Sequence, residues 1–371
     1  MGAPTHDPSR DSVVDNHVDI PADTAVQTDA VQTDAVQTDA VQTDAVETDT
    51  AVPTDADAAT AGHRSGGVSR VPGHVTVLAN PHARHGAGKM IADEAVAAFR
   101  SRGVDTELIV GRDAAEAAER AGKAARGDTD ALAVVGGDGS IRLALEAAFG
   151  TGTPIGVIPA GSGNDVARNL DIPIEDVDAA VELISRGHTR TIDLGRVTFP
   201  DGRSELFSTV AATGFDASVT ARAVGMSWPK GQSRYTLAAL RELVGLRSRH
   251  YHVRVDDTKL DGDLVFAAIG NTASYGGGML ITPNASITDG LLDVTMASRP
   301  SRFARLTVAK VFPTVFTGRH LAHPMVRTLR GREIELYCDP TALVSIDGDL
   351  VGELPAVFEV VPSSAEVFAP S

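Results

Sequence analysis

From about position 73 onward, short β-branched apolar runs alternate with amphipathic stretches. Val75–Ala79, Thr106–Val110, Ala131–Val135 and Ile155–Ile158 read as buried strands. Between the first two, the pattern predicts a helix from Lys89 to Arg102, with Gly103 at its C-terminal cap. Asp113-Ala-Ala-Glu116 resembles a capping box and opens a second helix to about Arg126. After the third run, Ile141, Leu145, Ala148 and Phe149 fall on one helical face. Ile174–Arg186, closed by Gly187, is a further amphipathic helix. Strand–helix alternation at this spacing predicts a parallel sheet covered on both faces, with right-handed crossovers.

The period then changes. Thr191–Gly195 opens a strand, and short β-rich runs follow at Arg196–Thr198, Leu206–Ala211, Tyr251–Val255, Leu264–Ile269 and Leu291–Ala297. More come at Glu333–Leu336, Val344–Ile346, Val357–Val361 and Glu366–Phe368. Turn signals separate them, which predicts an antiparallel β-sandwich. Helical inserts are expected at Tyr235–Leu246 and Arg302–Phe316. The fold class is thus a three-layer α/β N-terminal domain followed by a C-terminal β-sandwich domain.

Residues 1–66 carry neither period. Thr-Asp-Ala-Val-Gln recurs every five residues, which suits neither helix nor strand, and the valines gather on no face. The segment is predicted to be disordered, because it has too little apolar surface to offset the entropy of ordering. It reads as a tolerated repeat, a spacer or a threonine-phosphorylated segment. The expected organisation is a tail over 1–72, an α/β domain over 73–190 together with about 360–371, and a sandwich over 191–359.

Charge alters the picture in one respect. The chain has 371 residues and a formal net charge of −16, but residues 1–66 account for −11 of it. The remainder carries only −5, and a globally acidic chain is a poor nucleic-acid binder. The single cysteine, Cys338, fits a reducing, cytosolic setting. No secretory h-region and no long apolar run are expected. Arg299–Arg332 holds eight Lys/Arg, two His and no acid, interleaved with apolar residues. Such a segment suits docking to anionic lipid headgroups, at roughly 1 kcal/mol per basic residue near the surface. A solvated helix face explains it equally well.

The candidate chemistry lies between Val134 and Arg168. Gly136-Gly137-Asp138-Gly139-Ser140 and Ala160-Gly161-Ser162-Gly163-Asn164-Asp165 each follow a strand and open a helical segment. That geometry aims free N–H groups and a positive helix end at an anion. At the strand ends of one parallel sheet, the two turns would share a crevice. Each turn also carries an acid. A carboxylate beside a phosphate cradle repels it unless a cation lies between, which argues for Mg²⁺ and a polyphosphate such as ATP. Neither a dinucleotide fingerprint nor a Gly-Lys-Ser/Thr P-loop is present.

Together with Ile158-Pro159 and Val166-Ala167-Arg168, these turns resemble the diacylglycerol kinase catalytic domain, in particular the soluble bacterial lipid kinases related to sphingosine and ceramide kinases. NAD kinases and phosphofructokinases share the first turn, so the second is the more specific. The resemblance implies nucleotide contacts from Gly136, Gly137, Asp138, Gly139, Ser140, Gly161, Ser162, Gly163 and Asn164. It matches Asn80-Pro81-His82-Ala83-Arg84 to a nucleotide loop, with Ala83-Arg84 in place of Ser-Gly. Arg84 would then reach phosphates, or the loop bends differently. It implies one Mg²⁺ among Asp138, Asp165 and Asp193, where the bare residue reading of Asp193 is an ordinary strand-edge acid. It implies a structural Mg²⁺ on Asp289 and the carbonyls of Ser286 and Leu291, where the bare reading is an Asp-Gly hairpin turn.

Asp347-Gly348-Asp349 corresponds to the family's Asp-Gly-Glu, which supplies the base that deprotonates the lipid hydroxyl. The resemblance leaves Asp347 and Asp349 both open for that role. Gly214-Phe215-Asp216 matches a further family segment, in which Asp216 also reads as a plain N-cap. Leu143 stands where the family has Glu, a departure that bears on nucleotide handling. The last strands are expected to return to the first domain.

The function implied is an ATP- and Mg²⁺-dependent kinase acting on diacylglycerol or a related lipid, cytoplasmic and peripheral to an anionic membrane surface. A homodimer is compatible with the chain, although its residues do not choose an oligomeric state. An NAD kinase-like enzyme and a non-catalytic lipid- or nucleotide-binding regulator remain as alternatives.

Overall fold

The computed structural model describes residues 70–80, 88–224, 248–299 and 304–371. The chain divides between His63 and Arg64 into two units, and every described residue belongs to the second. The tail, the 235–246 insert and the Pro81–Arg84 part of the nucleotide loop lie outside the described residues.

Four strands form the parallel part: β1 (His74–Ala79), β2 (Asp105–Val110), β3 (Ala131–Gly136) and β4 (Ile155–Pro159). They lie in the order β2-β1-β3-β4. β3 is buried along its whole length, as a strand covered on both faces must be. On one face α1 (Gly88–Ser101) and α5 (Val177–Arg186) seat Phe99, Ile91 and Ile184 against Val75, Val77 and Ile158. On the other, α2 (Ala114–Ala125) and α3 (Asp138–Ala148) seat Ala121, Ile141 and Leu145 against Leu78, Leu132 and Val134. Asp113 caps α2 by accepting the Glu116 N–H at 2.9 Å, as its capping box predicts. α5 starts three residues later than the apolar pattern suggests, because Asp176 caps it through the Ala179 N–H. A short helix, α4 (Asp165–Asn169), follows the second glycine turn.

The remaining strands are antiparallel: β5 (Thr189–Thr198), β6 (Ser204–Phe207), β7 (Val210–Gly214), β8 (Arg249–Val255), β9 (Thr258–Gly270) and β10 (Leu292–Ser298). They continue as β11 (Val326–Gly331), β12 (Glu333–Asp339), β13 (Leu343–Ile346), β14 (Asp349–Glu353) and β15 (Ala356–Phe368). Phe207, Tyr251, Val253, Ile269, Val294, Ile334 and Phe358 fill their common core. The fold class agrees with the α/β-plus-sandwich expectation. α6 (Phe215–Val224) follows β7, and α7 (Ala304–Val311) leads into 3₁₀ turns over Phe312–Thr317 and Arg319–Ala322. The predicted 302–316 helix thus tightens at Phe312. Pro313 has no N–H to continue the α-helical ladder.

Several runs divide differently from the sequence pattern. Thr191–Gly195 and Arg196–Thr198 are one strand, as are the last two runs, which form β15 with an irregularity between Val361 and Ala365. Leu206–Ala211 instead breaks at Ser208-Thr209, whose N–H groups turn away to a carboxylate of the hairpin described below. β11 and β14 are mostly exposed and polar, so no apolar alternation marks them. β15 links the two parts. Its start pairs with β12, it runs antiparallel to β5, and its end pairs in parallel with β4 at Val367 and Ile155.

Asp193 sits beside that link and is 3% exposed. Its carboxylate accepts the N–H of Gly290 and the N–H of Ser363, each at 2.7 Å. Its backbone carbonyl accepts from Asn271 Nδ2 at 2.9 Å, and its N–H donates to the Ile287 carbonyl. The acid therefore ties β5 to the loop before β10 and to the irregularity in β15. Asp193→Ala would leave two part-buried N–H groups without their acceptor, so urea unfolding should show a loss of about 1–3 kcal/mol. A loss below about 0.5 kcal/mol would contradict this role.

Candidate active site

The loops leaving β1, β3 and β4 all emerge at the same edge of the parallel sheet, since those strands run in one direction. There the two glycine turns meet backbone to backbone. A Cβ on Gly161 would lie 2.4 Å from the Gly137 Cα, so no side chain fits between them. Asn164 adopts a left-handed conformation, with φ at 56°. Its side chain folds back on the second turn, accepting from the Gly161 N–H at 2.8 Å and donating to the Gly161 carbonyl at 3.1 Å.

A cleft of about 920 Å³ opens over these turns. Of the sequence-predicted residues, Asn80, Gly137, Asp138, Gly139, Ser140, Gly161, Ser162, Gly163, Asp165, Asp347 and Asp349 line it. Gly136 and Asn164 do not line it, and each has a structural part in its turn. Gly136 leaves room for the Ser140 side chain, which a Cβ would meet at 2.4 Å, and Asn164 shapes its own turn. Asn80 closes the cleft edge by donating to Ser140 Oγ at 3.3 Å.

The acids divide into two kinds. Asp138 and Asp165 both face the Cα of Gly163, where a Cβ would lie 2.7 and 3.1 Å from their Oδ2 atoms. Asp165 is buried and already bonded: it accepts from Ser274 Oγ at 3.0 Å, the Gly277 N–H at 2.7 Å and the Gly278 N–H at 2.9 Å. It anchors the loop over 274–278 to the second turn. Asp138 accepts the Val166 N–H at 3.2 Å. Burial, then the charge of Asp165 and, more weakly, that of Asp347, pushes its pKa up to about 6. Asp193 is not with them. It lies outside the cleft lining, and both its oxygens hold backbone N–H groups. This corrects the three-acid metal set, and among the described residues no three His, Cys, Asp or Glu groups converge as metal ligands.

Asp347 and Asp349 stand on the opposite wall. Asp347 and Gly348 have φ of 48° and 89° and form the two-residue turn between β13 and β14. Asp347 takes four hydrogen bonds: from the N–H and hydroxyl of Ser208 at 2.9 and 3.1 Å, and from those of Thr209 at 2.8 and 2.5 Å. Its packed surroundings push its pKa up, against the pull of those bonds. Asp349 is exposed and bonded through Oδ2 to Arg142 at 3.0 Å. Arg142 also reaches Glu205 and Glu146, at 3.4 and 3.5 Å. It joins α3, directly after the first turn, to β6 and β14. An arginine on a predicted helix face gave no sign of this. Nor did Ser208 and Thr209, which polar loop residues in general resemble. Leu143 lines the cleft and packs on the apolar core below it.

At the second predicted metal site, Asp289 accepts the Leu291 N–H at 3.1 Å and faces Arg330 at 3.3 Å. Arg330 also binds Asp293 at 2.8 Å. The positive charge beside Asp289 is thus a guanidinium. With only one acid and its charge already met, the Ser286–Asp289–Leu291 set does not fit a cation well. The bare Asp-Gly turn reading suits Gly290, whose φ is 70°.

Beyond the cleft, a narrow apolar cavity begins at the shared residues Tyr275, Met279 and Phe312. Phe215, Val265, Phe266 and Ile281 line it.

Comparison with known proteins bears on the class. Residues 74–197 match the diacylglycerol kinase catalytic domain, and residues 209–369 match the YegS C-terminal NAD kinase beta sandwich-like domain. A Mycobacterium tuberculosis protein named diacylglycerol kinase is 44% identical over 299 residues, covering 80% of this chain and 96% of that one. A Bacillus subtilis protein of the same name is 26% identical over 263 residues, covering 70% and 84%. A solved Bacillus anthracis structure described as a diacylglycerol kinase shares the fold, with a TM-score of 0.61 at 16% identity, covering 81% of this chain and 97% of that one. The site and fold define a kinase of the two-domain lipid-kinase type. The chain belongs to the diacylglycerol kinase family, and membership in a kinase family implies ATP use.

A raised acid pKa has a stability consequence. Between about pH 4, where an unfolded Asp titrates, and about pH 6, the folded metal-free protein binds the extra proton, so its stability falls as pH rises through that window. Asp138→Asn removes this penalty. Without divalent metal, it should be more stable than the parent by about 1–3 kcal/mol at pH 7.5, with no such advantage below pH 4. Urea unfolding at the two pH values checks this. An advantage equal at both, or absent at both, would contradict the buried-charge account.

Proposed function

We propose that the protein is an ATP- and Mg²⁺-dependent lipid kinase. It would transfer the γ-phosphoryl group to the hydroxyl of diacylglycerol or a related lipid, giving a lipid phosphate such as phosphatidic acid. The observation that carries this reading is one cleft with two bare-backbone glycine turns on one wall, an exposed acid on the other, and an apolar cavity at its end.

The turn amides and the N-terminal end of α3 suit the polyphosphate, as preorganised donors for developing charge. Asp138 is the residue that would hold Mg²⁺, with Asp165 as a second negative group behind it. Its raised pKa marks negative charge that the protein itself leaves unmatched. Mg²⁺, when bound, supplies the positive charge that lets acids and phosphates share the site. Asp349 is the better candidate for the base. Asp347 already accepts four hydrogen bonds, whereas Asp349 is exposed and held through one oxygen by Arg142. Asp349 would take the proton of the lipid hydroxyl as its oxygen bonds to the γ-phosphorus and the bond to ADP breaks. Asp347 would fix the hairpin that presents it.

The apolar cavity is suited to the lipid's hydrocarbon part. Leu306 and Phe316 are exposed at 55% and 45%, and Lys310, Arg319 and Arg327 are exposed in the same segment. That combination supports docking at an anionic membrane surface.

The test is transfer from labelled ATP, with Mg²⁺, to diacylglycerol in anionic vesicles, with the product identified by mass. Asp349→Asn should lower kcat by about 100-fold or more while changing the KM for ATP little. Label in NAD and in no lipid would replace this reading with an NAD kinase-like one. Nucleotide binding without turnover on any acceptor would replace it with a regulatory one.

A further inference from the structure

One guanidinium stands among the acids of the cleft. Arg142 lines the cleft, and its side chain is 17% exposed. It lies four residues after Asp138 on α3, so the two are neighbours on one helical face. Burial opposes its charge, but the carboxylates of Glu146, Asp347, Asp349 and Glu205 outweigh burial and keep it protonated. Nη1 reaches Glu146 and Glu205 only at 3.5 and 3.4 Å, near the outer limit of hydrogen bonding. Nη2 donates to Asp349 Oδ2 at 3.0 Å, which is the best-made of its bonds.

Asp349 has little else to fix it. Its side chain is 59% exposed at the start of β14, and Arg142 is the only partner of its carboxylate among the described residues. An exposed aspartate on a hairpin is otherwise free to change rotamer, whereas a base must stay within hydrogen-bond reach of the proton it takes. A misplacement of about 1 Å can cost about 100-fold in rate. With Oδ2 held, Oδ1 accepts no hydrogen bond among the described residues. Oδ2 also lies 3.9 Å from where a Cβ on Gly139 would stand, so the held carboxylate is next to the first glycine turn. Because α3 begins at that turn, Arg142 ties the acid to the element that would meet the phosphates.

Resting on the lipid-kinase reading, we propose that Arg142 is a positioning residue for the transfer. It holds Asp349 by Oδ2, at a set distance from the phosphate cradle, and leaves Oδ1 to take the proton of the acceptor hydroxyl. That proton passes to Oδ1 as the hydroxyl oxygen bonds to the γ-phosphorus and the bond to ADP breaks. Glu146 and Glu205 keep the guanidinium in place, and Arg142 itself touches neither lipid nor phosphate.

The experiment is a double-mutant cycle on the full chain, with labelled ATP, Mg²⁺ and diacylglycerol in anionic vesicles. Arg142→Met should lower kcat about 10-fold or more, while the KM values for ATP and lipid move less than about 2-fold. Arg142→Lys keeps the charge but loses the planar fork, so its kcat should lie between. In the Asp349→Asn background, Arg142→Met should cost less than about 2-fold more, since the acid it positions has gone. A kcat loss of the same size in both backgrounds overturns the proposal. So does a rise in the KM for ATP with kcat unchanged, which would put Arg142 on the phosphates. Should Arg142→Met fail to fold on leaving Glu146 and Glu205 without their cation, Arg142→Lys carries the same comparison. It should then lose about 3-fold in the parent background and nothing beside Asp349→Asn, and an equal loss in both overturns the proposal. Turnover of no lipid by the parent protein overturns the kinase reading and this proposal with it, whereas the other outcomes arise only with an active parent.

Discussion

Everything in the cleft depends on two glycine turns touching through bare backbone. Gly137 and Gly161 approach so closely that a methyl group on Gly161 would collide with the Gly137 backbone, and one on Gly137 would press on Gly161. This contact forces Asp138 and Asp165 toward the same glycine, Gly163. Two carboxylates held together away from water repel, and the fold resolves only one of them. Asp165 is stabilised by three donors from the loop over 274–278, while Asp138, which accepts the Val166 N–H at 3.2 Å, keeps a raised pKa. The site thus holds an electrostatic demand that a bound cation would meet.

The opposite wall is built on the same principle of fixing one acid to present another. Asp347 occupies a left-handed turn position and is bound by four donors from the break between β6 and β7. That anchors the hairpin and leaves Asp349 at the cleft surface. Arg142 then connects Asp349 to the helix that begins at the first glycine turn. The two walls are therefore coupled by an ion pair as well as by the continuous strand β15.

The parallel sheet was legible in the sequence because its strands are apolar throughout and its helices have clear periodicity and caps. The glycine turns were legible because their residue types suit so few other conformations. The exposed strands β11 and β14 were not, since neither buries one face regularly. The role of Asp193 was misread for a related reason. Its strand position shows an acid near the site, but only tertiary contacts reveal that its oxygens meet Gly290 and Ser363. Asp347 and Asp349 were indistinguishable in sequence, because their difference lies in Ser208 and Thr209, 139 and 138 residues from Asp347.

The most direct measurement is a ¹³C NMR titration of the Asp138 carboxyl in the metal-free protein, repeated with saturating Mg²⁺. The account predicts a midpoint near pH 6 without metal and a clearly lower one with it. A midpoint in the ordinary aspartate range near 4, unmoved by Mg²⁺, would contradict it.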